Sequence, residues 1–212
     1  MLNISAQVSA LAERIHAARE EVPRQLVALA GPPGSGKTTL ARELQRRLRD
    51  QHCAAEVLPM DGFHLDNGVL DEMGMRSRKG APETFDAAGF VYLVSRLAEG
   101  EEVVCPVFDR TRDISIAGAL VVPSGCPVVI VEGNYLLFDE HPWRELAEGW
   151  DLSAWLDVPK AELRARLVQR WLSFGLSRAA AIRRVESNDL PNAERIIARA
   201  LPADLTMTLE GA

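Results

Sequence analysis

An α/β three-layer sandwich is predicted for this 212-residue chain: a mostly parallel central sheet, flanking helices and a small helical lid. Three observations carry the prediction. Short continuous apolar runs, "LVALA" at 26–30 and "PVVIVEG" at 127–133, read as strands buried on both faces, as parallel strands are. Segments with helical spacing of apolar residues alternate with such runs, the pattern of strands joined by crossover helices. Between the first run and the next helix lies a tight glycine-rich turn, "GPPGSGKT" at 31–38.

Taken in order, Ile4, Val8, Leu11 and Ile15 mark one face of an amphipathic helix over 4–20, closed by Pro23. The strand at 26–30 and the glycine-rich turn follow. Leu40, Ala41, Leu44 and Leu48 then define the apolar stripe of a second helix. "AAEVLPMD" (54–61) is a second strand, and 62–85 is irregular. "AAGFVYLVSRLAEG" (87–100) is a helix ending in glycine. "EVVCPVFDR" (102–110), 127–133 and "WDLSAWLDV" (150–158) are strands. Helices are expected at about 160–174, 178–188 and 192–200, and "ADLTMTL" (203–209) is a last short strand. Neither repeats nor a linker divide the chain, so one domain spans 1–212. The first 24 residues form its N-terminal helix, and about 160–190 is the lid region. The 62–85 segment is a second insert candidate.

Apolar residues make up 47% of the chain, enough to fill a core. The 30 acids outnumber the 24 lysines and arginines, for a net charge of −6, so no basic face for nucleic acid is expected. Cys53, Cys105 and Cys126 contain no C-x-x-C pair and read as buried thiols in a reducing cytoplasm. The four histidines form no zinc pattern, no apolar run approaches a membrane span, and the first 25 residues lack a secretory core segment.

The turn at 31–38 matches G-x-x-x-x-G-K-[ST]. Glycines let backbone N–H groups converge on an anion, and the following helix points its positive end at it. The expected ATP-binding set is Gly31, Pro32, Pro33, Gly34, Ser35, Gly36, Lys37, Thr38 and Thr39. Lys37 adds charge at the β- and γ-phosphates, and the Thr38 hydroxyl reaches Mg²⁺. A glycine-rich corner without a ligand is the bland alternative, but a buried strand before and an amphipathic helix after supply the context of a P-loop NTPase.

Phosphoryl transfer further needs a residue for the acceptor hydroxyl, metal ligands, and cations for the developing charge. In open parallel sheets these lie at the carboxyl ends of strands. Asp61, closing "PMD", is the expected base. Glu132, closing "VVIVE", is the expected metal ligand with Thr38, although the two acids could share the metal or merely cap turns. His64, three residues on, is a candidate substrate contact or an ordinary core histidine. "ELRARLVQRW" places Arg166 and Arg170 four apart on one helical face, as a lid needs for ATP and the moving phosphoryl; a solvated basic face is the alternative. Arg170 is the leading catalytic cation, beside Asp61 and Lys37.

Seven blocks together resemble one family: "GPPGSGKTTLA", "MDGFHLDN", "RKGAPETFD", "PVFDR", "VVIVEGNYLL", "RLVQRW" and "NDLPNAERI". The chain is similar, over roughly 26–200, to the uridine kinase, phosphoribulokinase and type I pantothenate kinase family, and to bacterial proteins named putative fructose-transport-system kinases. The resemblance implies phosphorylation of a small-molecule hydroxyl with ATP and Mg²⁺. It supports Asp61 as base, Lys37 and Thr38 as phosphate and metal contacts, and Arg170 as lid cation, and it adds Asn192 as a substrate contact. Two departures speak against pantothenate: Phe108-Asp109-Arg110 stands where pantothenate kinases carry Tyr-Ser-His, and Leu167 replaces a tyrosine. Arg110 suits a carboxylate or phosphate on the acceptor, or pairs with Asp109 or Asp113 as structure. Arg76, Arg78 and Lys79 line the same mouth or form a solvated loop. A sugar or sugar acid fits a polar pocket with few aromatics, while pantothenate or a uridine-like nucleoside stays as an alternative. An ATP-dependent switch or assembly factor is the rival of another class. The expected partner is a small-molecule acceptor, without nucleic acid or membrane, and a homodimer is compatible with the chain.

Overall fold

The apolar runs become a parallel sheet. The computed structural model describes residues 4–18, 22 and 24–208. Its first helix, α1 (Ser5–Ala18), buries Val8, Leu11, Ala12 and Ile15. Residues 19–20 and Pro23, expected to end that helix, lie outside the described residues, as does Leu209 of the last strand. Then follow β1 (Gln25–Ala30), α2 (Lys37–Asp50) and β2 (Ala55–Pro59). Later strands are β3 (Val103–Asp109), β4 (Ile114–Val122), β5 (Val128–Gly133), β6 (Leu152–Asp157) and β7 (Leu205–Thr208). The sheet order is β2-β5-β1-β6-β7, and every neighbouring pair is parallel.

Alternation along the strands divides the core into two layers. Val27, Leu29, Val128 and Ile130 face α1 and the buried stripe Leu40, Ala41, Leu44 and Leu48 of α2. Leu26, Ala28, Ala30, Val129 and Val131 face the other way, toward α4 (Ala87–Ala98) and the aromatic cluster Tyr135, Phe138 and Trp143.

Three expectations need correction. The 102–110 strand does not join the central sheet: β3 pairs antiparallel with β4, a strand unforeseen in the sequence, as a separate ribbon. So short a link excludes a parallel crossover. Asp109 Oδ1 accepts from Thr111 N and Arg112 N at 2.9 and 3.0 Å, and Asp113 takes a left-handed φ of 56°, closing the turn. The 62–85 segment is ordered as short helical pieces, including α3 (Asn67–Glu72), capped by Asp66 Oδ1 on Gly68 N at 2.8 Å. Finally, the helices expected at 178–188 and 192–200 run on through α6 (Arg178–Arg184), a π-turn at Val185–Asp189, and α7 (Leu190–Ala198). Pro191 has no N–H for the ladder, so the hydrogen bonds shift register just before it. The shift turns Asn188 and Asn192 inward, both buried.

Candidate active site

The P-loop joins β1 to α2, whose first turn has no side-chain cap, so its N–H groups point at the loop's cavity. Gly34 combines a φ of +83° with a tight approach: a Cβ there would lie 3.2 Å from Leu167 Cγ on α5 (Lys160–Ser173). The lid helix therefore seats directly on the loop. Lys37 is buried, and its Nζ donates to Gly31 O at 2.8 Å, Pro32 O at 2.9 Å and Ser35 Oγ at 3.3 Å. Burial drives its pKa down to about 8 against the pull of Glu132 and Asp61.

Sheet register brings the two acids to this loop. β5 lies between β1 and β2, and Glu132 stands level with Leu29 and Pro59. Thr38 Oγ1 donates to Glu132 Oε1 at 2.8 Å. Asp61 lies not at the end of β2 but in the 3₁₀ turn Met60–Phe63 that follows. That turn rests against β3 at Gly62, where a Cβ would come within 2.2 Å of Pro106 O, so only glycine permits the approach. Asp61, Glu132, Lys37 and Thr38 line one cleft of about 480 Å³. Burial and the charge of Asp61 raise the Glu132 carboxyl above its ordinary range. Burial works the same way on Asp61, but Arg110, His64, Arg170 and Lys37 outweigh it and hold that carboxyl low. Of the two carboxylates in this cleft, Asp61 is the one held lower.

The cations arrive from two sides. Arg110, at the ribbon's tip, is ion-paired with Asp61 and not with Asp109 or Asp113. Arg170 on α5 lines the cleft, where its charge meets Asp61, Asp189 and Glu132. Arg166 Nη1 donates to Gly34 O and Ser35 O at 3.3 and 3.1 Å, and Nη2 pairs with Glu162. His64 stacks on Phe85, ring centres 4.0 Å apart, and burial lowers its pKa to about 4. Asn192 lines the cleft, and its Nδ2 donates to Asn188 Oδ1 at 3.4 Å.

The chain is similar in sequence and fold to known proteins. A family model described as AAA ATPase domain matches residues 5–111, half of the chain, P-loop included. The crystal structure of a "putative fructose transport system kinase" from Silicibacter sp. TM1040 is 54% identical, with a TM-score of 0.89 over 94% of this chain and 98% of that one. The "uncharacterized protein YggC" of Escherichia coli K12 is 40% identical, over 89% of this chain and 80% of its own. A "putative uridine kinase" of Schizosaccharomyces pombe is 35% identical, over 80% and 76%. Pantothenate kinases and a phosphoribulokinase are among the more distant matches. The chain belongs to the P-loop kinases. It is an ATP-dependent phosphotransferase, and none of its described helices is long and apolar enough to cross a membrane.

In this P-loop kinase not every residue of the expected set faces the cleft. Pro33, Gly34, Gly36, Lys37, Thr38 and Thr39 line it. Gly31, Pro32 and Ser35 are buried behind the loop and hold Lys37 instead. Arg166 does not line the cleft; it clasps the loop's carbonyls. Of the three residues expected at the mouth or in a solvated loop, Arg76 and Lys79 line the outer cavity and Arg78 does not. Lys79 is buried, with Nζ donating to Asn67 Oδ1 at 2.7 Å and Asp113 O at 3.0 Å, and lying 4.9 Å above the Phe108 ring. The pocket is also more aromatic than expected: the cleft continues outward into a cavity of about 1170 Å³ walled by Phe108, Trp171 and Phe174. Only the "PVFDR" and "RLVQRW" blocks hinted at that wall.

Proposed function

We propose that this kinase transfers the γ-phosphate of ATP to a hydroxyl of a sugar or similar polar metabolite, with Mg²⁺, and that Asp61 is the base. One observation carries the reading: the charged Asp61 carboxylate and the P-loop's Lys37 line the same cleft, at the carboxyl end of the sheet. The residues fit a hard cation, because Thr38 Oγ1 and Glu132 supply oxygen donors and Glu132 is buried beside a second carboxylate. Thr38 and Glu132 would hold Mg²⁺, which neutralises charge on the β- and γ-phosphates when bound. Pro33, Gly34 and residues 36–39 cradle the phosphates, with Lys37 turning from its loop partners to them. Asp61 takes the acceptor's hydroxyl proton as that oxygen bonds the γ-phosphorus, whose bond to the β–γ bridging oxygen breaks to leave ADP. Arg170 meets the charge on the moving group, and Arg166 keeps the lid helix on the loop. His64, Arg110 and Asn192 face the acceptor, and the Phe108 ring offers a flat apolar wall for a sugar's C–H face. The name carried by the Silicibacter protein supports a sugar. An ADP-release screen of sugars, sugar acids, nucleosides and pantothenate, with the product read by phosphorus NMR, tests the proposal. A sugar-class product is expected; turnover with a nucleoside or pantothenate alone overturns the substrate class, and hydrolysis indifferent to every metabolite favours a switch.

A further inference from the structure

Arg110 and the cavity beyond it say more about the acceptor. The outer cavity is lined by Arg76, Lys79, Arg110, Arg170 and Arg184 against the single acid Asp113, in a chain whose net charge is −6. Lys79 is matched by Asp113, Arg76 by Asp71 at 3.1 Å, and Arg110 by Asp61. Arg184 donates to the carbonyls Ser77 O and Lys79 O at 3.1 and 3.2 Å. The remaining positive charge, on Arg170 and Arg184, faces the space where an acceptor must enter to reach Asp61, and such a pocket concentrates anions.

The ion pair at its floor gives that charge a purpose. Arg110 lies across the carboxylate that must receive the acceptor's proton, and the pair is partly open to the cavity, with side chains 39% and 19% exposed. Arg110 is the more open partner of the pair, so a ligand that offers it another oxyanion can compete with Asp61 for it. Arg110 also stands at the end of a two-stranded ribbon outside the central sheet, on a turn held by Asp109. Its guanidinium can trade one carboxylate for another oxyanion without disturbing the core, because its planar fork suits either partner.

We propose that Arg110 is a specificity latch: the acceptor carries an oxyanion, a carboxylate or a phosphate monoester, which draws Arg110 off Asp61 and so frees the base for that acceptor's hydroxyl. A neutral sugar leaves the latch closed. This rests on the assignment of Asp61 as base, and it adds the chemical class of the acceptor and the residue that selects it.

Calorimetric titration of the full chain, saturated with Mg²⁺ and the non-hydrolysable ATP analogue AMP-PNP, separates the possibilities. The probes are neutral sugars, sugar acids and sugar monophosphates of three to six carbons. One anionic class should bind at least about tenfold tighter than its neutral counterparts, and the class that does so identifies the oxyanion. Arg110→Gln should remove that preference, and Arg110→Lys should restore part of it. Asp61→Asn should tighten anion binding about tenfold, since it removes the competitor for Arg110, and the gain should vanish in the double variant. Equal binding of neutral and anionic sugars, no binding of any anion, or an Asp61→Asn variant with unchanged anion affinity each overturns the latch. Retention of phosphoryl transfer by Asp61→Asn instead overturns the assignment of the base, a separate result.

Discussion

At the scale of single residues, the cleft sets charge against burial. Asp61 keeps its charge because Arg110, Arg170 and Lys37 surround it. Asp61→Asn keeps the shape and loses the base, so kcat should fall by about a hundredfold or more while ADP affinity, read by calorimetry, stays within a few-fold. Lys37 bears the opposite burden. Its pKa is 10.5 in ordinary surroundings and about 8 in the fold, so the unfolded chain holds the extra proton between those values. Stability therefore rises as pH climbs from 8 to 10.5, and at neutral pH the cost of about 3 kcal/mol is present in full. Lys37→Met should leave the melting temperature unchanged or higher while nucleotide affinity collapses; a clear drop in melting temperature would mean that the three hydrogen bonds of Nζ hold the loop. In the unaltered protein, nucleotide affinity should weaken as pH rises past about 8, because binding must then take up a proton.

At the scale of elements, the site depends on how closely turns and helices approach. The 3₁₀ turn bearing Asp61 reaches β3 only because residue 62 has no side chain. Gly62→Ala must push turn and ribbon apart, separating Asp61 from Arg110. Turnover should fall by about tenfold or more with ATP affinity little changed, since the P-loop lies on other elements; equal loss of both would show a general disruption. These approaches explain what was legible beforehand. The P-loop, both acids and the lid arginines could be read because each lies at a fixed offset from a strand or helix with strong periodicity. The burial of Lys79, the aromatic wall at Phe108 and the ribbon's pairing could not, because they arise through long-range packing of a segment without period. The "DGFH" block shows the limit: Asp61 stands out by type, whereas the reason for Gly62 is a carbonyl 44 positions away at Pro106. The π-turn likewise has a visible cause in Pro191, but its effect, Asn188 and Asn192 turned inward, needs the helix's surroundings.

Across the whole molecule, stability and chemistry are assigned to opposite ends of the sheet. The P-loop and Glu132 lie at the carboxyl ends of β1 and β5, and Asp61 lies in the turn that follows β2. At the amino end of β1, the buried Arg24 gathers the surrounding loops. Its Nε donates to Cys126 O at 3.0 Å, Nη1 to Leu97 O and Glu101 O at 3.0 and 2.9 Å, and Nη2 to Pro123 O and Ser124 O at 2.7 and 2.9 Å. All five guanidinium N–H groups are thereby satisfied, each by a backbone carbonyl. They tie the end of α4, the loop before β3 and the turn before β5 to the residue that leads into the central strand. Arg24→Lys offers at most three donors from a single point and leaves at least two of the five carbonyls without their partner, so urea denaturation should show a loss of about 2 kcal/mol or more. Arg24→Ala should lose at least as much. Because the damage falls at the end of the sheet remote from the cleft, the folded fraction of Arg24→Lys should keep its KM for ATP and its kcat within a few-fold. A loss of turnover in protein still fully folded by circular dichroism would show instead that strain at the amino ends of the strands reaches the P-loop.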